Sequence, residues 1–414
     1  MRIIVVPSWF PSPQAPLSGI FFAEQTELLA SHAPSLDVHV FAVPRRNYEL
    51  AARRPLEAVR VLAAWWRADK HDVKVAAPNY AVHGFETLTW TDHVAHGGLL
   101  HEAGRMAEVA KTIERERGPI DLVHAHVSYP GGFVAAELAR TLGVPLVVSE
   151  HMSPFPFVDL CSADGIPRAD VLAPIRSASR VTAVSRAHAQ SIERFVDRPI
   201  DVMPNFIDET RFSSAGHAPH VPFRFLSVGH LVPQKGFDIL LRALRLCLDQ
   251  GVPVHLSVVG EGYQGEELRT LAAELGVTDS VDWLGAPDRG DMPAIYRDAN
   301  AFVLASRHES FGVVVIEALA SGLPVVATRC GGPEEIITEE SGMLVPPEDP
   351  SALAMAMTAM ARRHYDADTI RGYFDRTYSA AAVVPRLLEL YESVLGERRG
   401  AAARSDDRAA QAIR

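Results

Sequence analysis

A chain of 414 residues with 48% hydrophobic side chains is long enough for two domains, each able to bury a core of its own. Its formal charge of −11 argues against nucleic acid as a partner, because a phosphate backbone calls for a net basic surface, so any phosphate contact has to be local. Three cysteines, Cys161, Cys247 and Cys330, stand far apart with neither a CxxC nor metal-type spacing, which fits a reducing cytoplasm and no structural disulfide.

Met1 to Pro7 places one positive residue before an apolar run that stops at Pro7 and Ser8, far short of a signal peptide's core. The run reads instead as the first buried strand of a parallel sheet. Gly19 follows, at the entry to a helix over Glu24 to Ser31; a glycine there lets another group approach the backbone, or serves packing alone. Val38 to Val43 is a second strand. Residues 53–67, RRPLEAVRVLAAWWR, make a basic amphipathic helix ending in two tryptophans, suited either to an anionic membrane surface or to packing inside the fold. No run approaches the roughly 20 apolar residues of a membrane span. The expected place is the cytoplasm, with peripheral contact at the inner face of the membrane through 53–67 left open.

Asp121 to His126 alternates so that His124 and His126 share one side of a strand, and His126 stands where the strand opens into the loop Tyr129 to Gly132. In open parallel sheets ligands bind at such carboxyl ends. Pro145 to His151 is another strand; Glu150, His151, Phe155 and Phe157 at its end either shape an acceptor site or decorate a loop. Arg180 to Ser185 adds a strand, and Val202 to Asn205 closes the first half. The expected division is a first domain over 1–208 with a return helix near 378–396, a polar linker over 209–222, a second domain over 223–375, and a disordered tail over 397–414.

The second half opens with the strand Phe223 to Val228, the loop GHLVPQKG over 229–236, and a helix from Phe237 to Leu248. Lys235, at the passage from strand to helix, is a cation aimed at a phosphate. After the next strand, Gly260, Gly262 and Gly265 form a literal GxGxxG with Asp282 22 residues beyond Gly260, the fingerprint of a dinucleotide site. Val281 to Gly285 is a further strand end. Ala301 to Glu335 then reads as strand, loop, helix from Phe311 to Ala320, strand Val325 to Thr328, and a glycine turn. Unpaired N–H groups at that helix start make the loop Glu309 to Val313 an anion site, with phosphate as the guest. Two carboxylates flank it, Glu309 in the loop and Glu317 roughly 9 Å along the helix at about 1.5 Å per residue. Like charges repel, so both serve better as acceptors for hydroxyls on either side of the phosphate. Hydroxyl, phosphate and hydroxyl in that order describe a nucleotide sugar.

Glu309, seven residues, Glu317, with Ser310-Phe311-Gly312, then Ser321 to Val326, then Gly331-Gly332, resembles the family 4 retaining glycosyltransferases of GT-B architecture. With gaps, the resemblance extends over nearly the whole chain. It implies an α/β fold of two doubly wound Rossmann-like domains facing across a cleft, the donor held mainly by the second and the acceptor by the first. Carried over residue by residue, it implies that Glu309 contacts the donor sugar, that the backbone of Ser310, Phe311, Gly312 and Val313 holds the β-phosphate, and that Glu317 binds ribose hydroxyls. It implies that His126 lies close to the transferred sugar, leaving His124 structural; that the turn at Gly19 faces the donor phosphates; and that the strand end carrying Leu284 lies beside the nucleobase. Gly260 and Gly262 then belong to the donor site rather than to a dinucleotide. Two departures stand out: Phe206 follows Asn205 where the family commonly has Gly, and His230 stands where it most often has Arg.

The implied reaction moves a hexosyl group from a nucleotide sugar to the hydroxyl of a glycan or lipid-linked acceptor, with retention, in polysaccharide or glycolipid synthesis. No acid cluster has metal-ligand spacing, so neither metal nor cofactor is expected, and Lys235, His230 and the helix terminus stand in for a divalent ion. Catalysis would rest on His126, Lys235 and Glu309. Two readings of other classes compete: a nucleotide-dependent oxidoreductase using the Gly260 loop, and a sugar-nucleotide sensor without turnover.

Overall fold

Runs of aliphatic residues with no polar face suit strands covered on both sides, and they set the frame here. In the computed structural model, which describes residues 1–12, 15, 18–42, 48–50, 55–67, 69, 71–90, 95–214 and 220–412, the chain divides into two compact units. Residues Met1–Ala183, Ala189–Met203 and Val384 onward form the first; Val184–His188 and Pro204–Val383 form the second.

The first unit holds strands β1 (Arg2–Pro7), β2 (Asp37–Ala42), β3 (Tyr48–Leu50), β4 (His71–Ala77), β5 (Tyr80–Phe85), β6 (Leu88–Trp90), β7 (Leu122–His126), β8 (Leu146–Glu150), β9 (Arg180–Ala183) and β10 (Asp201–Val202). Among the described residues they form an eight-stranded sheet in the order β10-β9-β8-β7-β1-β2-β5-β4, plus a separate β3-β6 pair. Only β4 runs antiparallel to its neighbour in the large sheet. The strand order reverses between β1 and β7, so the loops after those two strands diverge to opposite faces and leave a crevice at their carboxyl ends.

The second unit holds β11 (Phe223–Val228), β12 (Val254–Val259), β13 (Val281–Trp283), β14 (Ala301–Leu304), β15 (Val325–Thr328) and β16 (Gly342–Val345). All are parallel, in the doubly wound order β13-β12-β11-β14-β15-β16, with the switch between β11 and β14. Alternate residues feed two cores. Phe225, Val303 and Val326 enter the cluster with Leu240, Leu244 and Met357, while Leu226, Phe302 and Val325 enter the one with Tyr296, Ile316 and Leu319. Each such side chain removed from water is worth about 1.5–3 kcal/mol, and this anchors the helix Val313–Ala320, which carries Glu317.

Three expectations change. Part of the expected linker is built into the second unit: Phe212 is buried, and the Arg371 guanidinium donates to the carbonyls of Glu209, Phe212 and Ala320 at 2.7, 2.5 and 2.9 Å. Residues 215–219 of that linker lie outside the described residues. The expected disordered tail carries helical backbone, because the helix from Ala380 continues to Ala412 through strong helix formers. The basic helix spans Pro55–Arg67, with Arg53 and Arg54 outside the described residues, and divides its apolar residues: Leu56, Val59 and Trp66 are 84%, 64% and 79% exposed, whereas Trp65 is half-buried and donates its indole N–H to the Glu86 carbonyl at 3.3 Å.

Buried histidines tie the first unit together. His71 Nε2 lies 3.1 Å from His83 Nδ1, His83 Nε2 lies 3.0 Å from His39 Nδ1, and His39 Nε2 lies 3.4 Å from Asp37 Oδ1. Each N···N contact has room for one hydrogen, so the ladder closes when all three rings are neutral and donate from Nε2 toward Asp37. Elsewhere His124 bonds to Tyr391 Oη at 2.7 Å and to Ser149 Oγ at 2.8 Å, which fits the structural role expected of it. Burial, together with the neighbouring rings, holds His83 down to about 3, and burial holds His126 down to about 4.

A histidine depressed in the folded state stabilises the fold above its unfolded value near 6.5 and loses that contribution as pH falls toward its folded value. The first unit should therefore weaken between about pH 6 and 4, His126 alone accounting for on the order of 2–3 kcal/mol by pH 4.5. Hydrogen exchange at strands β2, β5 and β7 measures this; protection unchanged from pH 7 to 4.5 would contradict it.

Candidate active site

The loops after β11 and β14 meet at the switch point of the second sheet. What brings them together is backbone contact without side chains. Gly236 has φ +66°, and a Cβ there would lie 2.1 Å from the carbonyl oxygen of Ala305. The Arg307 amide donates to the carbonyl of Gln234 at 2.8 Å, and Gln234 Nε2 to the carbonyl of His308 at 3.0 Å. Arg307 itself is committed to structure, its guanidinium bonding both oxygens of Asp238 at 2.9 and 2.8 Å. Sequence reading passed over this clasp, since its partners stand 69 residues apart.

Lys235 and Glu309 are drawn together by the same approach. The ammonium donates to Glu309 Oε2 at 2.5 Å, both side chains being partly buried. Lys235 was expected to address a phosphate and Glu309 a sugar hydroxyl, so the two expected ligands of one donor already neutralise each other. His230, in the same loop, is exposed.

The loop before the helix Val313–Ala320 rests on the glycine turn. Glu309 N–H donates to the carbonyl of Cys330 at 2.9 Å, and Gly332 N–H to that of Glu309 at 2.8 Å. A Cβ on Gly332 would fall 2.2 Å from Phe311 Cα, which is why that turn tolerates no side chain. Ser310 presents its carbonyl to Ser185 Oγ at 2.6 Å, and Phe311 is buried against Tyr378, so Phe311 can meet a ligand only through its backbone. Gly312, at φ +105°, turns the chain into the helix, and no side chain caps the terminus. In its first turn the Val315 N–H donates to the Gly312 carbonyl at 2.9 Å, while the amides of Val313 and Val314 open the helix at its positive dipole end.

That helix begins at Val313 rather than Phe311. Glu317 is therefore only one turn in, roughly 6 Å from the start at about 1.5 Å per residue. Its carboxylate is buried, accepts from Tyr296 Oη at 2.8 Å and faces Arg289 Nη2 at 3.9 Å, two partners that the motif does not contain.

The GxGxxG loop is explained by packing. A Cβ on Gly260 would meet the Gly229 carbonyl at 1.9 Å, and one on Gly262 the Leu231 carbonyl at 2.3 Å, so these glycines let the loops after β12 and β11 lie against each other. The following helix, Gly265–Glu274, opens with Glu266 and Glu267, which would repel a pyrophosphate. Asp282, the acid of the fingerprint, is 2.8 Å from His255 Nε2. Leu284, just past β13, is exposed.

In the first unit, His126 ends β7 at that sheet's own switch point. Its Nδ1 lies 3.0 Å from His151 Nε2, and its ring lies against Phe22 at 5.2 Å. Depressed to about 4 by burial, it is neutral at ordinary pH. Gly19, at φ +67°, starts the helix Ile20–His32 with the Trp9 carbonyl where a Cβ would be, 2.2 Å away. Glu150 does not line a site: fully buried, it accepts from the amides of Ser128, His151 and Met152 at 2.8, 2.9 and 2.8 Å and so fixes the loop turns around His126.

Comparison with known proteins agrees with this geometry. The family described as Glycosyl transferases group 1 matches residues 208–366, and Glycosyltransferase Family 4 matches residues 57–211. The D-inositol 3-phosphate glycosyltransferase of Salinispora arenicola is 31% identical over 67% of this chain and 69% of its own length. Among solved structures, sucrose-phosphate synthase from Thermosynechococcus elongatus superposes with a TM-score of 0.68 at 21% identity, covering 96% of this chain and 100% of that one. HepE from Anabaena, in complex with UDP and glucose, gives 0.64 at 20% identity over 95% of this chain and 100% of that one. The chain belongs to glycosyltransferase family 4 and has the GT-B fold, two α/β domains built on parallel sheets.

Proposed function

We propose that the chain transfers a hexosyl group from a nucleotide-sugar donor to a hydroxyl of a glycan or lipid-linked acceptor, with retention at the anomeric carbon and without a divalent ion. The observation that carries this reading is the switch point of the second sheet, where Lys235 pairs with Glu309 in the loop before a helix whose N-terminus no side chain caps, and Glu317 stands one turn into that helix. The HepE structure, named with UDP and glucose, supports a nucleotide-sugar donor for this fold. The relative named D-inositol 3-phosphate glycosyltransferase supports glycosyl transfer as the reaction.

In this reading the donor diphosphate lies against the N–H groups of Val313 and its neighbours, and Glu317 takes the ribose. Glu309 takes sugar hydroxyls. As the bond to the anomeric carbon breaks, negative charge grows on the leaving diphosphate, and Lys235 turns from Glu309 toward it. Amides fixed in the backbone need little reorganisation as that charge develops, and Lys235 adds its charge once it has exchanged Glu309 for the diphosphate. Among the described residues no group of three or more His, Cys, Asp or Glu is placed to hold a metal ion, and in this reading side chains and backbone supply the positive charge. His126, neutral, acts by orientation and hydrogen bonding, with His151 holding its ring. His230 joins the donor phosphates and Leu284 the base.

The helix Pro55–Arg67 supports a peripheral membrane contact on the cytoplasmic side. Leu56, Val59, Ala63 and Trp66 recur at helical spacing, and the exposed Arg60 and Arg67 supply charge for anionic lipid. Among the described residues no helix is long and apolar enough to cross a membrane.

Incubation with UDP-, GDP- and ADP-hexoses in EDTA should give transfer at the rate seen without chelator, with the donor's anomeric configuration kept in the product as read by NMR. An inverted product, or activity that returns only with magnesium or manganese, would overturn the reading. Lys235→Ala should cost on the order of 10² in kcat, the scale of losing one oxyanion donor, whereas near wild-type turnover would move the phosphate site elsewhere. In sedimentation, vesicles containing phosphatidylglycerol should carry down the wild type and much less of Trp66→Ser, and phosphatidylcholine vesicles neither; equal sedimentation of both proteins would remove the membrane contact.

A further inference from the structure

Glu317 occupies an environment that a hydroxyl-binding carboxylate seldom has. Its side chain is 7% exposed, and its two oxygens meet different groups. Oε2 accepts from Tyr296 Oη at 2.8 Å; Oε1 faces Arg289 Nη2 at 3.9 Å. Tyr296 comes from the helix Met292–Arg297, which leads into β14, and is 0% exposed. Its ring is fixed by Phe212 at 5.7 Å edge-on and by Phe302 at 5.9 Å. Burial, reinforced by the carboxylate, pushes its hydroxyl well above the ordinary phenol range, so it remains an O–H donor. Arg289 differs in kind: 30% exposed in the loop between β13 and that helix, it can yield to a ligand.

A buried carboxylate turns toward whatever donors it can reach, and a rotating one cannot hold a hydroxyl in one place. We propose that Tyr296 is a positioning residue, fixing Glu317 through Oε2 so that Oε1 is presented to the donor ribose, and that the preference for ribose over deoxyribose depends on the Tyr296 hydroxyl. The proposal rests on the reading of Glu317 as the ribose-binding acid. It adds a residue outside the Glu309 to Glu317 motif, and it divides the two oxygens between protein and ligand.

Calorimetric titration with uridine, guanosine and adenosine diphosphates identifies the tightest binder, which is then compared with its 2′-deoxy and 3′-deoxy forms. Wild type should bind the ribonucleotide roughly tenfold tighter than at least one deoxy form, the scale of one hydrogen bond to a charged acceptor. Tyr296→Phe, which keeps the ring and its packing, should weaken the ribonucleotide about tenfold and leave that deoxy form nearly unchanged, so that their ratio approaches one; the donor KM should rise with kcat held. Arg289→Met, at a part-exposed loop position, should keep the wild-type ratio or increase it. A wild-type ratio preserved in Tyr296→Phe overturns the positioning role and leaves Glu317 as the ribose acid. A wild type indifferent to the ribose hydroxyls overturns both. If Tyr296→Phe fails to fold, the Arg289→Met arm still decides, since collapse of its ratio to one would mean that Arg289, not Tyr296, holds the carboxylate.

Discussion

Close approach of bare backbone is the constraint on which the donor-side architecture depends. Where Gly236 meets Ala305, where Gly332 meets Phe311 and where Gly260 meets Gly229, a Cβ would lie between 1.9 and 2.2 Å from the facing atom. These contacts set the loops after β11, β12 and β14 at distances that side chains would forbid. Everything ionic at the site follows. Only because the loops after β11 and β14 touch can Lys235, 74 residues from Glu309 in sequence, reach it. A glycine at φ +66° is also the residue that can turn a strand into a helix within so short a loop.

The electrostatics are organised by keeping each charge partnered. Arg307 belongs to Asp238 and Glu348, Lys235 to Glu309, and Glu317 to Tyr296 and Arg289. Glu335 accepts from the amides of Arg186 and Ala187 at 2.9 and 3.0 Å, while Ser185 bonds the carbonyl of Ser310, so the short segment Val184–His188 braces the same loop within the second unit. The groups fall into two kinds. Arg307 is locked by a two-pronged bond into the scaffold, whereas Lys235 meets one oxygen of Glu309 and Arg289 stands 3.9 Å from Glu317, pairs that a polyanionic, hydroxyl-bearing ligand can exchange for its own. Rigidity is thus placed beneath the site and exchangeable charge at its surface.

The first unit takes the opposite course with its titratable side chains. His39, His83, His124 and His126 are buried, burial lowers the pKa of each, and contacts link them to His71, His151, Tyr391, Ser149 and Asp37. An imidazole without charge can orient a hydroxyl through one nitrogen while the other is held, and the His126 to His151 contact has that form. Placing it at the switch point of the sheet, beside the left-handed turn at Gly19, gives the unit its own crevice at the strand ends.

Much of this was legible in the chain itself. Strands such as β1, β14 and β15 announce themselves because a strand buried on both faces must be apolar throughout, and the spacing of Glu309, Glu317 and the paired glycines singles out one strand-helix-strand unit. Local order also showed that His126 ends a strand and that residues 55–67 are amphipathic. What the sequence could not decide is which distant groups meet. Nothing in the GxGxxG run says that the Gly229 and Leu231 carbonyls lie against it, and nothing in the tryptophan-ended helix says that Leu56, Val59 and Trp66 stay exposed while Trp65 reaches the Glu86 carbonyl. Tyr296 looks like one more apolar position in a short helix until its hydroxyl is found on Glu317. Periodicity along a chain encodes the backbone of each element and which face it buries. The pairing of a hydroxyl with a carboxylate 21 residues away, or an ammonium with one 74 away, is fixed only when the sheet order brings their loops to the same edge.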